Sequence, residues 1–254
     1  MRLNKYLSGH GLCSRREADR LIESGSVMVN GMKAQLGQDV TQDDLVEVNG
    51  KKVEDRVPEI FYAVNKPRGV VVTTDRSRGD LVLEDLVPKT DRVFAVGRLD
   101  KESEGLILMT NNGDVSNRIQ KARSFHEKEY EVTVNRPLTQ SFLKKMSEGV
   151  RLEELGRTTR PCRVRKMGKN RFDIILTEGM NRQIRRMCSA LGYEVTSLRR
   201  IRVMNILLGE LPEGKYRSLT KDEVRELKSR LRSWPVPEQE RAGIAPDKKD
   251  GGNS

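Results

Sequence analysis

In RVFAVGRLDKESEGLILMTNNGD, residues 92–114, two short apolar runs flank a single carboxylate. Val93–Val96 is the first run, closed by Gly97, and EGLILMT (104–110) is the second. Short apolar runs bounded by turn residues read as buried strands. Asp100 then falls in the connection between them, held at the edge of a cleft. On spacing alone the stronger competing reading is an Asp that merely caps a turn.

The flanking sequence alternates between strands and helices. FYAVNKPRGVVVTT (61–74) reads as two strands around a Lys66-Pro67 turn, and DVSNRIQKA (114–122) as a helix. KEYEVTVN (128–135) alternates like a strand, and TQSFLKKMSEG (139–149) is a helix ending in glycine. CRVRKMGKNRFDIILTEG (162–179) is a hairpin, NRQIRRMCSALG (181–192) a helix, and VTSLRRIRVMNILL (195–208) one long strand. Thr220 and Glu223 form a capping box that opens a last helix running to about Leu231. Strands with irregularly placed helices give an α+β fold with a large mixed or antiparallel sheet.

Residues 1–55 read as a separate small unit. A short helix in LNKYLSGHG is followed by SRREADRLIESG, with Ser14 as N-cap, Glu17 completing a capping box, an Ala18–Leu21–Ile22 stripe and Gly25 as terminator. VMVNGMKA and LVEVNGKKV are hairpins around Asn30-Gly31 and Asn49-Gly50. DRVPEI (55–60) is the linker, so the division is 1–55, 56–232 and a disordered Pro- and Gly-rich tail over 233–254.

The composition excludes several classes. The chain has 254 residues, 35% of them hydrophobic, and no apolar run near the ~18–20 residues that span a bilayer. Its N-terminus has no hydrophobic signal core, so a membrane or secreted protein is not expected, and the chain reads as cytosolic. Cys13, Cys162 and Cys188 are far apart, giving neither a disulfide framework nor paired zinc-ligand spacing. With His10 and His126 as the only histidines, a His-based triad lacks material.

Charge points to the partner. The net charge is +11, and residues 118–202 alone hold 21 Lys and Arg against 9 Asp and Glu. A lopsided basic segment favours a polyanion, here nucleic acid rather than membrane, over a merely solvated surface. Arg2, Lys5, Arg15, Arg16 and Arg20 at the front of the chain form either an RNA-docking patch or a solvated helix face. Arg182, Arg185 and Arg186 crowd a helix start, where the macrodipole disfavours cations. That placement requires an anion, from substrate or from a buried carboxylate. Tyr130 opens its strand either as a core aromatic or as a site residue.

GRLDKESEGLILMTNNGD, EKEYEVTV and LTEGMNRQIRRM, in that order, resemble the three core motifs of bacterial pseudouridine synthases of the RsuA group. LNKYLSGHGLCSRREADRLIESGSVMVNG looks like the small alpha-L RNA-binding domain of those enzymes. The resemblance spans about residues 1–230 and is closest to the RluF branch, which acts on 23S rRNA, although the tail here is short and not strongly basic. It implies an isomerase that needs no cofactor and no metal, acts as a monomer and turns a uridine into pseudouridine. By the same resemblance Asp100 is the catalytic carboxylate, Arg185 its ion partner, and Arg98 the residue that fills the stack when the base is flipped out. Tyr130 stacks on the base or serves as acid or base, and Leu99 and Ile184 line the pocket beside Arg182. The alternatives are the same chemistry on 16S rRNA or on a tRNA anticodon arm, or a non-catalytic RNA-binding or ribosome-assembly factor.

Overall fold

The Ser14 side chain accepts from the Glu17 backbone N–H at 3.2 Å, satisfying one of the free amides of a helical first turn. That cap opens α2 (Arg15–Glu23), which follows α1 (Leu3–Gly9). The Glu17 carboxylate accepts from Arg20 at 2.8 Å. The helix ends in a Schellman arrangement, with Gly25 N–H on the Ile22 carbonyl and Ser26 N–H on that of Leu21. The structure, a computed structural model, describes residues 1–53, 58–73, 75–77, 79–120 and 125–233. The domain boundary at 55/56, the first half of the linker, the end of the DVSNRIQKA helix and the tail beyond 233 lie outside the described residues.

Both Asn-Gly hairpins form. Strands β1 (Val27–Val29) and β2 (Met32–Lys33) pair across Asn30-Gly31, and β3 (Val46–Val48) and β4 (Lys51–Lys52) across Asn49-Gly50. Both residues of each turn have positive φ, from 51° to 77°, the conformation of a type I′ turn. The sheet order is β2–β1–β3–β4, and its apolar side meets Leu3, Leu7, Ala18 and Ile22 in a core drawn wholly from residues 3–53.

The remaining strands are β5 (Phe61–Lys66), β6 (Phe94–Ala95), β7 (Glu104–Thr110), β8 (Lys128–Val134), β9 (Arg151–Leu152), β10 (Arg157–Thr158), β11 (Arg163–Lys166), β12 (Arg171–Leu176), β13 (Val195–Val203), β14 (Ile206–Leu207) and β15 (Tyr216–Ser218). The helices are α3 (Gly113–Gln120), α4 (Gln140–Glu148), α5 (Gln183–Ala190) and α6 (Lys221–Ser233). One mixed sheet has the order β11–β12–β8–β13–β7–β5–β15, with β14 on β13 and β6 on β7; β9 and β10 form a separate hairpin. The α+β expectation holds.

The chain divides into two compact units. The first takes Met1–Lys101, Ile107–Ser116 and Leu211–Leu219, and contains the N-terminal core, β5, β6, most of β7 and β15. The second takes Glu102–Leu106, Asn117–Glu210 and the chain from Thr220. Its core joins Val132, Phe172 and Ile174 of the sheet to Phe142 and Met146 of α4 and to Ile184, Met187 and Cys188 of α5.

Two strand expectations fail. VVVTT is not a second strand: Val71 makes one isolated bridge to Val82, while Val70 and Val72 are buried as loop residues. VTSLRRIRVMNILL is two strands, because Met204 takes a left-handed φ of 53° and turns the chain into β14. The capping box before α6 is complete, Thr220 N–H donating to Glu223 Oε2 at 2.8 Å and Glu223 N–H to Thr220 Oγ1 at 3.1 Å.

Candidate active site

In the first unit the loop after β6 is pinned at both ends. Val96 N–H donates to the Leu108 carbonyl of β7 at 2.7 Å, and the Lys101 carbonyl accepts from Gly69 N–H at 2.8 Å. Lys101 Nζ also bonds Asp80 at 2.7 Å. Between the pins Leu99 is buried, Arg98 is exposed and Asp100 is half-buried. An inward leucine between two outward polar groups fixes the loop by hydrophobic anchoring, so its carboxylate is presented by a rigid support.

In the second unit Tyr130 sits half-buried on β8, opposite Ile174 of β12 and Arg200 of β13, and packs on the core. Ile184 is buried in that core, on the inner face of α5 with Met187 and Cys188. The helix begins on Arg182, which holds a left-handed φ of 52° and donates to Glu102 at 2.7 Å. The Arg182 guanidinium holds the Glu102 carboxyl below the usual carboxylate range. Arg185 donates to the Val195 carbonyl at 3.2 Å, the Glu102 carbonyl at 3.4 Å and Ser103 Oγ at 3.5 Å.

The arginine crowding is therefore answered by carboxylates of the chain itself. Glu102 meets Arg182, and Glu154 meets Arg186. Glu178, 4% exposed, accepts from Gln183 Nε2 at 2.8 Å and from Arg160 N–H at 2.9 Å, placing a buried carboxylate at the start of α5. Sequence reasoning missed Glu102, Glu178 and Gln183. Their signal lay in the same motifs, the two acids within five residues of the arginines or of Asp100 and Gln183 directly after Arg182. Burial pushes the Cys188 thiol up to about 12 and Cys162 up to about 11, which disfavours the thiolate at neutral pH.

At the N-terminus Arg15 and Arg16 are exposed. Arg2 pairs with Asp39 at 3.4 Å, Lys5 with Asp114 at 2.8 Å and Arg20 with Glu17 at 2.8 Å. Among the described residues no helix is long and apolar enough to cross a membrane.

Comparison with known proteins follows this geometry. A family model described as RNA pseudouridylate synthase matches residues 60–190, and one described as S4 domain matches residues 1–46. The dual-specificity RNA pseudouridine synthase RluF of Escherichia coli K12 is 49% identical over 229 residues, 89% of this chain and 78% of that one. The ribosomal large subunit pseudouridine synthase B of Bacillus subtilis is 36% identical over 236 residues, 90% of this chain and 96% of that one. A crystal structure of a pseudouridylate synthase superimposes with a TM-score of 0.67 at 28% identity, covering 89% of this chain and 99% of that one. An S4 domain followed by a synthase domain, together with this identity over most of the chain, shows that the protein belongs to the RsuA family of RNA pseudouridine synthases.

Proposed function

We propose that this enzyme isomerises one uridine of 23S rRNA, with Asp100 as its catalytic carboxylate. The observation that carries the assignment is the pinned loop, which offers a half-buried Asp100 beside a buried Leu99 and an exposed Arg98. The reaction breaks the bond from uracil N1 to ribose C1′, turns the base and joins C5 to C1′. The C5 proton leaves and N1 gains one, so atoms balance without a redox step. A carboxylate serves by attacking ribose or uracil or by taking a proton, and each role needs it ionised. The family resemblance assigns Arg185 to that task, since a nearby guanidinium favours the charged form. Support comes from its bonds to Glu102 and Ser103, two and three residues after Asp100 in the chain.

The base must leave the helical stack for its glycosidic bond to be reached. Arg98 is exposed and long enough to fill the gap, and Tyr130, half-buried on β8, has the flat ring that stacks on the base or serves as acid or base. Residues 1–55 act as the docking module, with Arg15 and Arg16 the most available cations and Arg2, Lys5 and Arg20 contributing once RNA competes for their carboxylates. The enzyme works as a cytoplasmic monomer.

The large-subunit designation of the Bacillus relative favours 23S rRNA. A tRNA anticodon arm is the second reading, favoured because the relatives at 49% identity are named as dual-specificity enzymes. Tritium release from C5-labelled ribosomal RNA and tRNA transcripts tests both. The Asp100→Asn variant is expected to lose turnover while its RNA affinity stays within roughly three-fold, because phosphate contacts supply most of the affinity. Turnover by a sequence-verified Asn variant overturns the catalytic assignment, and label released only from tRNA overturns the ribosomal one.

A further inference from the structure

The second unit contains an open cleft of ≈ 620 Å³ between the β9–β10 hairpin and the outer side of α5. Its wall is cationic: Arg151 comes from β9, and Arg182, Arg185 and Arg186 from the start of α5. Glu153 and Glu154 at the hairpin tip close one side. We propose that this cleft seats a backbone phosphate of the RNA and that Glu153 and Glu154 hold its arginines as placeholder carboxylates, displaced when RNA enters. The proposal rests on the reading that RNA is the substrate and adds to it a subsite and a device against the wrong polyanion.

Three observations carry it. The α5 arginine is set and the acid on it is loose: the Arg186 side chain is 27% exposed and its Nε donates to the Asn181 carbonyl at 3.1 Å, whereas Glu154 is 76% exposed. Arg151 likewise meets Glu153, 81% exposed, at 3.5 Å. Exposed ion pairs hold weakly, so a stronger anion exchanges with them. The cations are all arginines, whose planar fork fits a phosphate by two parallel bonds. The lining has no aromatic ring, so it offers nothing on which a base would stack and selects the backbone rather than a nucleobase. A carboxylate in the seat makes every unspecific polyanion compete for entry. RNA docked elsewhere on the enzyme overcomes that competition by being held locally.

The test uses the full chain and a fluorescein-labelled, mixed-sequence, single-stranded RNA of twelve nucleotides, read by anisotropy between 50 and 200 mM KCl. Glu153→Gln with Glu154→Gln is expected to tighten binding about three-fold or more at low salt. The log–log salt slope should steepen by about 0.7, the value for one further phosphate on a single strand. Arg151→Gln with Arg186→Gln is expected to weaken binding about ten-fold and to flatten the slope by a similar amount. Should the double arginine variant fold poorly by circular dichroism, the exposed Arg151→Gln alone replaces it, with about three-fold weakening expected. Unchanged affinity and slope in the arginine variant, or weaker binding in the glutamate variant, overturns the proposal. Pseudouridine formation by the unsubstituted enzyme on ribosomal RNA, measured in parallel, separates the two readings. Activity with unchanged binding in the variants defeats the cleft alone, and the expected binding changes without product on ribosomal RNA defeat the substrate assignment alone.

Discussion

A Cβ placed on Gly105 would lie 2.3 Å from the Arg200 carbonyl oxygen and 2.7 Å from the Arg200 nitrogen. Both atoms are backbone of β13, which pairs in parallel with the start of β7 through Arg199↔Glu104 and Arg200↔Gly105. Gly105 also holds a φ of +101°, so it meets both a close approach and a conformation that other residues avoid. The Arg200 side chain, 3% exposed, donates to the Leu106 carbonyl at 2.6 Å and ties the same two strands. Gly105→Ala is therefore expected to cost about 3 kcal/mol or more, the upper end for overpacking. Urea denaturation measures it, and a variant within 1 kcal/mol of wild type would show that β13 yields. Beside Arg200, burial and the Arg200 charge push Lys128 down to about 8 from its ordinary 10.5. Between those values the unfolded chain holds a proton that the folded chain has lost, so stability rises with pH across that window. Below 8 both states are protonated and the cost of charging a buried amine remains in full. Lys128→Met is thus expected to raise Tm at pH 7, with the advantage shrinking between pH 8 and 10; a constant or growing advantage contradicts it.

At the scale of elements, the arginines on β11 and β13 turn out to belong to a ladder. Arg163 bonds Glu127, Arg165 bonds Asp173 at 2.8 Å, and Arg202 bonds Glu129 at 2.7 Å and Glu127 at 3.0 Å. Arg199 lies 3.9 Å from Glu131. The basic segment 118–202 predicts a polyanionic partner, but these arginines are already paired within the sheet. The register sets Asp173 opposite Arg165 and Glu131, while Phe172 and Val132, one position along, enter the core under α4 and α5. Four arginines and four carboxylates leave that sheet face near neutral. Replacing Arg163 and Arg165 by Gln should leave the salt dependence of RNA binding unchanged, and a flatter slope would restore the phosphate role. Elements announced by local chemistry were legible: the Asn-Gly turns, the Ser14 cap and the Thr220–Glu223 box each fix their geometry within four residues. Elements set by distant partners were not. Met204 carries no turn signature, and exposed β15 is a strand only through its pairing with β5. The candidate site divides the same way. The motifs displayed Asp100, Tyr130 and Arg185, but the acids that answer the arginines, Glu154 in the turn after β9 and Glu102 in the loop before β7, are set beside α5 only by the tertiary fold.

For the whole molecule the question is how far the RNA-docking module stands alone. Its core draws every member from Leu3 to Val53, so removing residues 1–55 takes no side chain from the core around α4 and α5. Among the described residues, truncation breaks the exposed Lys5–Asp114 pair and the bond from Arg92 to the Gly11 carbonyl. Exposed ion pairs contribute roughly 0–1 kcal/mol each. The chain from residue 56 is therefore expected to keep its circular dichroism per residue and to unfold cooperatively, within about 2 kcal/mol of the full chain under the same denaturant. RNA affinity should fall about ten-fold or more, since Arg15, Arg16 and the other cations of the first two helices leave with the module. The single-turnover rate at saturating RNA should change far less, because docking stabilises ground and transition states alike. A molten or insoluble product would place the boundary elsewhere in the first unit. Loss of rate equal to the loss of affinity would mean that the module helps to assemble the site that holds Asp100, beyond carrying RNA to it.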